Sequence, residues 1–194
     1  MNQEWEIEFK NRLTEQEFAF LCRKFSVQPA AFFQQVNDYF DTPDYELRRH
    51  QSALRIRHKG GRHDLTLKQP RGHAILETHQ WLTDRENREL IQFGRLPAGA
   101  VKQVIADSDV KTGRLVRLGE LTTRRAQFPY ENGELFLDHS LYLGKEDYEL
   151  EFETPDRSTG LSVFRQLLAE CSIPNRPSQN KILRLYHALQ KHRS

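Results

Sequence analysis

Residues 4–10 read EWEIEFK, with Glu4, Glu6, Glu8 and Lys10 interleaved with Trp5, Ile7 and Phe9. A β-strand turns successive side chains to opposite faces, so this segment is a strand with one charged and one apolar face. The same alternation returns in ALRIRHK (53–59), DLTLKQ (64–69) and EDYELEFETP (146–155). A period of two repeated in segment after segment predicts an antiparallel sheet whose faces differ in character.

Turn signals divide the chain into about eight such strands. Gly60-Gly61 joins the two middle runs as a hairpin, and Asn132-Gly133 marks a type I′ turn between GELTTRRAQFPY (119–130) and GELFLDHSLYL (133–143). AFFQQVNDYF (31–40) and HAILETHQWL (73–82) complete the set, the former ended by Pro43. Thr14 with Glu17, and Thr83 with Glu86, open helices as capping boxes. Further helices are expected over 98–106, 157–171 and 179–191. The helical insertion between Leu82 and Gly113 is expected to cover the sheet. Trp5 and Trp81 are expected to pack on the apolar face.

Composition narrows the class. A net charge of +2, from 29 basic and 27 acidic residues, gives no bulk drive toward nucleic acid or membrane. With no apolar run of membrane-spanning length, no signal-like start and two distant cysteines, the chain reads as one cytoplasmic domain over 1–194, a monomer or homodimer without a structural disulfide. The five histidines from His50 to His79 lack zinc-ligand spacing and read as exposed or locally bonded. The basic runs RRH (48–50) and KHRS (191–194) read as solvated.

The charged faces are not the mixed surface of an ordinary soluble sheet. The first and last strands are rich in acids, while the middle hairpin carries Arg55, Arg57, Lys59 and Lys68. If those faces point inward, the bases suit phosphate oxygens and the carboxylates suit Mg²⁺ or Mn²⁺, hard cations that bridge to phosphate.

EIEFK, YFDTPD, LRIR, LTLK, LETH, TTRRAQF, LFLDHSLY, YELEFE and NKILRLY, in that order across nearly the whole chain, resemble the CYTH superfamily, the triphosphate tunnel metalloenzymes. The resemblance implies an α+β, mainly antiparallel fold: an eight-stranded closed, tunnel-like β-barrel with peripheral helices. It implies that Lys10, Arg55, Arg57, Lys68, one of Arg124 and Arg125, and Lys181 bind a triphosphate. Spacing to Phe128 favours Arg125. Glu6, Glu8, Asp138, Glu149 and Glu151 would hold Mg²⁺ or Mn²⁺, with Glu77 and Glu153 completing the acidic lining. Glu6, Glu8 and Lys10 form the catalytic signature.

The expected reaction is divalent-metal-dependent hydrolysis of a small-molecule triphosphate, with a glutamate as a base not singled out. Inorganic tripolyphosphate requires only the charges. Thiamine triphosphate would need an aromatic platform, for which Tyr39, Phe40 and Tyr45 are candidates. Adenylate cyclase activity on ATP is the runner-up, and a non-enzymatic polyphosphate- or nucleotide-binding module is the alternative.

Overall fold

The computed structural model describes residues 2–110 and 113–192, so Arg193 and Ser194 of the basic tail lie outside the described residues, as do Lys111 and Thr112 of the insertion. The strands are β1 (Asn2–Glu6), β2 (Glu8–Leu13), β3 (Phe33–Asp41), β4 (Ala53–Lys59), β5 (Arg62–Arg71), β6 (Ala74–Leu82), β7 (Val116–Tyr130), β8 (Gly133–Tyr142) and β9 (Lys145–Glu153). The helices are α1 (Glu15–Lys24), α2 (Glu46–Arg49), α3 (Asp84–Phe93), α4 (Ala100–Ala106), α5 (Arg157–Glu170) and α6 (Lys181–His192).

The hydrogen-bonded order is β1-β6-β5-β4-β3-β7-β8-β9-β2, ending at β1 and β2. Among the described residues, nine strands replace the eight expected, and hydrogen bonds do not close the order into a ring. The extra strand arises at Ile7, where the opening segment breaks and the Ile7 carbonyl accepts a hydrogen bond from the Thr154 amide at 3.0 Å.

The described residues form two compact units, one of residues 2–5 and 36–121 and the other of residues 6–35 and 122–192. In the first, the apolar faces of β3–β6 supply Phe40, Leu54, Ile56, Leu65, Leu67 and Leu82 to a core completed by Leu47, Leu90, Val101 and Ile105 from α2, α3 and α4. The insertion therefore covers the sheet, as expected. Each fully buried leucine here contributes roughly 1.5–3 kcal/mol. Thr83 caps α3 through the predicted box with Glu86, and Gln80 ties β6 to the insertion through the Ala98 carbonyl at 2.8 Å. The buried Asp41 carboxylate accepts the Thr42, Leu47 and Arg48 amides, which fixes the turn after Pro43 and starts α2.

In the second unit, Phe9, Leu135, Leu137, Leu150 and Phe152 from β2, β8 and β9 pack on Leu21 of α1 and on Phe164, Leu167 and Leu168 of α5. Phe9 and Phe164 stack at 5.9 Å. Both cysteines carry free thiols against this core. The Thr14–Glu17 capping box opens α1 as predicted. The outer edge of β2 is covered by residues 174–177: the Arg12 amide bonds the Arg176 carbonyl at 2.9 Å, and Asn11 bonds the Pro174 carbonyl and the Arg176 amide. Covering an edge this way blocks further strand pairing, and it delivers the chain to the start of α6.

One of the two predicted hairpin turns differs from expectation. Gly60 and Gly61, at φ 57° and 73°, form the expected two-residue hairpin loop. The later loop is shifted by one residue: Tyr130 pairs with Gly133, so the loop residues are Glu131, at φ 50°, and Asn132. Gly133 is instead required by packing, since a Cβ there would lie 2.1 Å from the Glu153 carbonyl oxygen.

Candidate functional site

With the apolar faces committed to cores, strand alternation leaves each sheet with a charged face. In the second unit the register stacks these residues in rows across β7, β8, β9 and β2. One row is Arg125, Asp138, Glu149 and Arg12; the next is Gln127, Phe136, Glu151 and Lys10; a third ends with Glu134, Glu153 and Glu8. Asp138, Glu149 and Glu151 are 0 %, 1 % and 2 % exposed. Carboxylates buried this deeply persist only when paired.

The pairing is dense. Arg125 donates two hydrogen bonds to Asp138, both at 2.7 Å, and a third to Glu151 at 2.5 Å, with its guanidinium 4.4 Å from the Phe136 ring centre. Lys10 Nζ lies 2.7 Å from Glu8 and 3.5 Å from Glu151. From the first turn of α6, Lys181 Nζ reaches Asp138 at 2.8 Å, Glu149 at 3.1 Å and Glu151 at 2.5 Å. One turn on, Arg184 bonds Glu149 at 2.6 Å and pairs with Asp147 at 3.2 Å. Ser178 donates to Glu149, and Tyr142 donates to Asp147 at 2.7 Å.

These contacts decide the charge states. Burial alone would push Glu149 up, but Lys181, Arg184 and Lys10 hold it at about 2 against the repulsion of Glu151. Glu151 is likewise held far below the carboxylate range by Lys10, Lys181 and Arg125 despite burial. Burial opposes the charge on Lys10 and Lys181, and the carboxylates override it, so both stay protonated.

Two groups of three carboxylates bring oxygens within 4.8 Å of one another: Asp138, Glu149 and Glu151, and the half-buried Glu6, Glu8 and Glu153. An all-oxygen donor set of this kind fits a hard divalent cation.

The first unit carries its own cluster. Its rows are Ala53, Lys68 and Glu77; Tyr39, Arg55, Thr66 and His79; and Asn37, Arg57, Asp64 and Trp81. The buried Glu77 pairs with Lys68, with Arg55 at 3.8 Å and with His79 at 3.2 Å. Arg57 donates to Asn37 at 3.2 Å. Hydrogen bonds to Asp64 and Glu77 raise His79 to about 9, making it a further cation at neutral pH.

Several sequence expectations need correction. Arg124 points away from the charged face and lies over the Phe32 ring at 5.8 Å, leaving Arg125 as the base of TTRR that joins the cluster. Trp5 and Trp81 are exposed, and Trp81 shares the parity of Glu77 and His79, which puts it on the charged face beside Arg62 rather than in the core. Phe40 is a core residue and Tyr39 is buried, so neither offers an open aromatic platform. His58 and His63 are locally bonded, as expected: their Nδ1 atoms are 2.8 Å apart, with Asp38 and Asp84 on the outer nitrogens.

Arg12, Asp147, Ser178 and Arg184 belong to the second cluster and were missed. Three of the four carried a signal. Arg12 and Asp147 continue the alternation of Lys10 and Glu149 by one more step, and Arg184 follows Lys181 by three residues on one helix face. Ser178 follows from the covered edge of β2, which no local pattern announces.

Comparison with known proteins identifies the family. Residues 4–186 match the family described as the CYTH domain. The chain is 44% identical over 191 residues to a protein of Bacillus subtilis (strain 168) bearing the name "Putative triphosphatase YjbK", covering 98% of this chain and 99% of that one. A crystal structure from Bacillus halodurans, described as "a putative adenylate cyclase", has a TM-score of 0.90 at 38% identity, over 95% of this chain and 98% of that one. HpAC1 from Hippeastrum, described as a "putative adenylyl cyclase" with "a dominant triphophatase activity", shares the fold with a TM-score of 0.75 at 22% identity, over 94% and 95% of the two chains. With the family model matched over residues 4–186 and a relative 44% identical over 98% of this chain, the chain belongs to the CYTH domain family.

Proposed function

We propose that this protein hydrolyses a small-molecule triphosphate with the help of a divalent cation. The observation that carries the reading is the buried charged face of the second unit, where Asp138, Glu149 and Glu151 interleave with Lys10, Arg125 and Lys181. A pure anion site would gain nothing from three buried carboxylates, and a pure cation site nothing from the bases. A metal–polyphosphate pair uses both.

In this reading Lys10, Arg125 and Lys181 bind phosphoryl oxygens, and Arg55, Arg57 and Lys68 give the first unit bases of its own suited to phosphate. Fixed cations aimed at developing charge lower the barrier to phosphoryl transfer without reorganisation. Asp138, Glu149 and Glu151, with Glu6, Glu8 and Glu153, are the residues that would hold Mg²⁺ or Mn²⁺, which supplies Lewis acidity toward the phosphoryl oxygens. Inorganic tripolyphosphate is the substrate that needs only these charges, and the name of the Bacillus subtilis relative supports this class. Conversion of ATP to cyclic AMP and pyrophosphate is the second reading, favoured by the description of the Bacillus halodurans relative.

The test is phosphate release from tripolyphosphate, ATP and thiamine triphosphate, each with Mg²⁺, Mn²⁺ or EDTA, with cyclic AMP measured in the ATP reactions. Chelator-sensitive release from tripolyphosphate is expected. Cyclic AMP with little free phosphate would select the cyclase reading. Glu8→Ala separates an enzyme from a binding module: the enzyme loses metal-dependent turnover, whereas a module keeps or tightens its hold on the anion.

A further inference from the structure

The three carboxylates best suited to a divalent cation already share a cation. Lys181 Nζ lies 2.8, 3.1 and 2.5 Å from Asp138, Glu149 and Glu151, and those are the side chains whose oxygens converge within 4.8 Å. An ammonium has three N–H donors, and three carboxylates here face them. A divalent ion would need the same lone pairs at shorter range.

Of the two cations that each touch more than one of these carboxylates, Lys181 is the displaceable one. Arg125 is held by a fork on Asp138 and by the Phe136 ring. Lys181 is a point charge on a flexible stem. It also opens α6, the helix end where the backbone dipole opposes a positive charge and welcomes an anion.

We propose that Lys181 is the resident counter-ion of the metal position, so that the ammonium and a divalent cation hold the Asp138–Glu149–Glu151 carboxylates alternately. Metal loading then frees the ammonium for a phosphoryl oxygen of the substrate. The inference rests on reading these carboxylates as metal ligands. It makes Lys181 a brake on metal binding in the resting protein as well as a phosphate ligand during turnover.

The experiment is equilibrium Mn²⁺ binding, followed by the electron paramagnetic resonance of free Mn²⁺, for the full chain and its Lys181→Met and Lys181→Arg variants. Lys181→Met is expected to bind Mn²⁺ at least about tenfold more tightly, because a unit charge some 3 Å from each ligand is gone. Lys181→Arg should stay within about threefold of the parent, since the charge remains. A Lys181→Met protein that melts cooperatively yet binds Mn²⁺ no more tightly overturns the proposal. Should that variant not fold, amine acylation of the unaltered protein read by mass spectrometry decides it. Mg²⁺ must accelerate labelling of Lys181 and not of the exposed Lys24, and equal labelling overturns the proposal. Metal-dependent hydrolysis with no gain in Lys181→Met sinks this inference alone. Absence of both Mn²⁺ binding in every form and hydrolysis by the parent sinks the metal reading and this inference with it.

Discussion

Arg125 and Asp138 sit directly opposite one another on adjacent strands and are joined by two hydrogen bonds of 2.7 Å. Asp138 is fully buried, so the fork cannot be replaced by water. Arg125→Ala should cost on the order of 3–5 kcal/mol in urea unfolding, the scale of a buried charge stripped of its partner. Arg124→Ala, one residue away on the opposite face, loses only a ring contact and should cost less than about 1 kcal/mol. Equal costs would mean the two arginines are wrongly assigned.

Glu151 touches Lys10, Lys181 and Arg125, so Glu151→Gln changes one charge and three pairings. Mn²⁺ affinity should fall at least about tenfold, and phosphate release from tripolyphosphate should fall with it. Isothermal titration and a phosphate assay on the same preparation check both.

Tyr142 is raised from its ordinary 10 to about 12 by burial and by the hydrogen bond it donates to Asp147. A group whose proton is held more tightly in the folded state stabilises the fold fully below the unfolded value and loses that contribution as pH rises through the folded one. The contribution of Tyr142 is therefore present below pH 10 and lost toward pH 12. Tyr142→Phe should remove one late-titrating tyrosinate from the absorbance titration and flatten this part of the stability–pH curve. A tyrosine titrating near 10 at this position would contradict the hydrogen bond.

Gly133→Ala and Gly60→Ala test two different reasons for glycine. At Gly133 a Cβ meets the Glu153 carbonyl oxygen at 2.1 Å, and relieving that clash should cost roughly 1–3 kcal/mol. Gly60 has open space but φ of 57°, so its alanine variant should cost only about 1 kcal/mol. Thermal unfolding of the two proteins gives the order.

Alternation carried most of what could be read in advance. It placed Lys10, Arg55, Lys68, Asp138, Glu149 and Glu151 on charged faces because a strand leaves a side chain only two directions. It failed where a single residue changes the phase. Ile7 interrupts the opening run between β1 and β2, turning the expected eight strands into nine. At TTRR the neighbouring arginines differ in parity: spacing to Phe128 favours Arg125, and the register sets Arg125 opposite Asp138. Trp81 was assigned by its hydrophobicity, although its parity with Glu77 pointed to the charged face. The meeting of Lys181 with three strand carboxylates is a tertiary event between a helix and a sheet, and no local pattern encodes it.

In the middle rows of the second unit, the apolar side of the sheet is sealed by α1 and α5, and on the ionic side Asp138, Glu149 and Glu151 are buried as deeply. Such a sheet has no neutral side on which substitutions can accumulate. A polar replacement on one face meets packed carbon, and an apolar replacement on the other strands a charge. The freedom to vary is pushed outward to the strand ends and loop tips, such as Gly144, where an added Cβ meets open space. Within this architecture, divergence between descendants is expected to be written at the tips, while the centre of the sheet changes only by paired replacements across neighbouring strands.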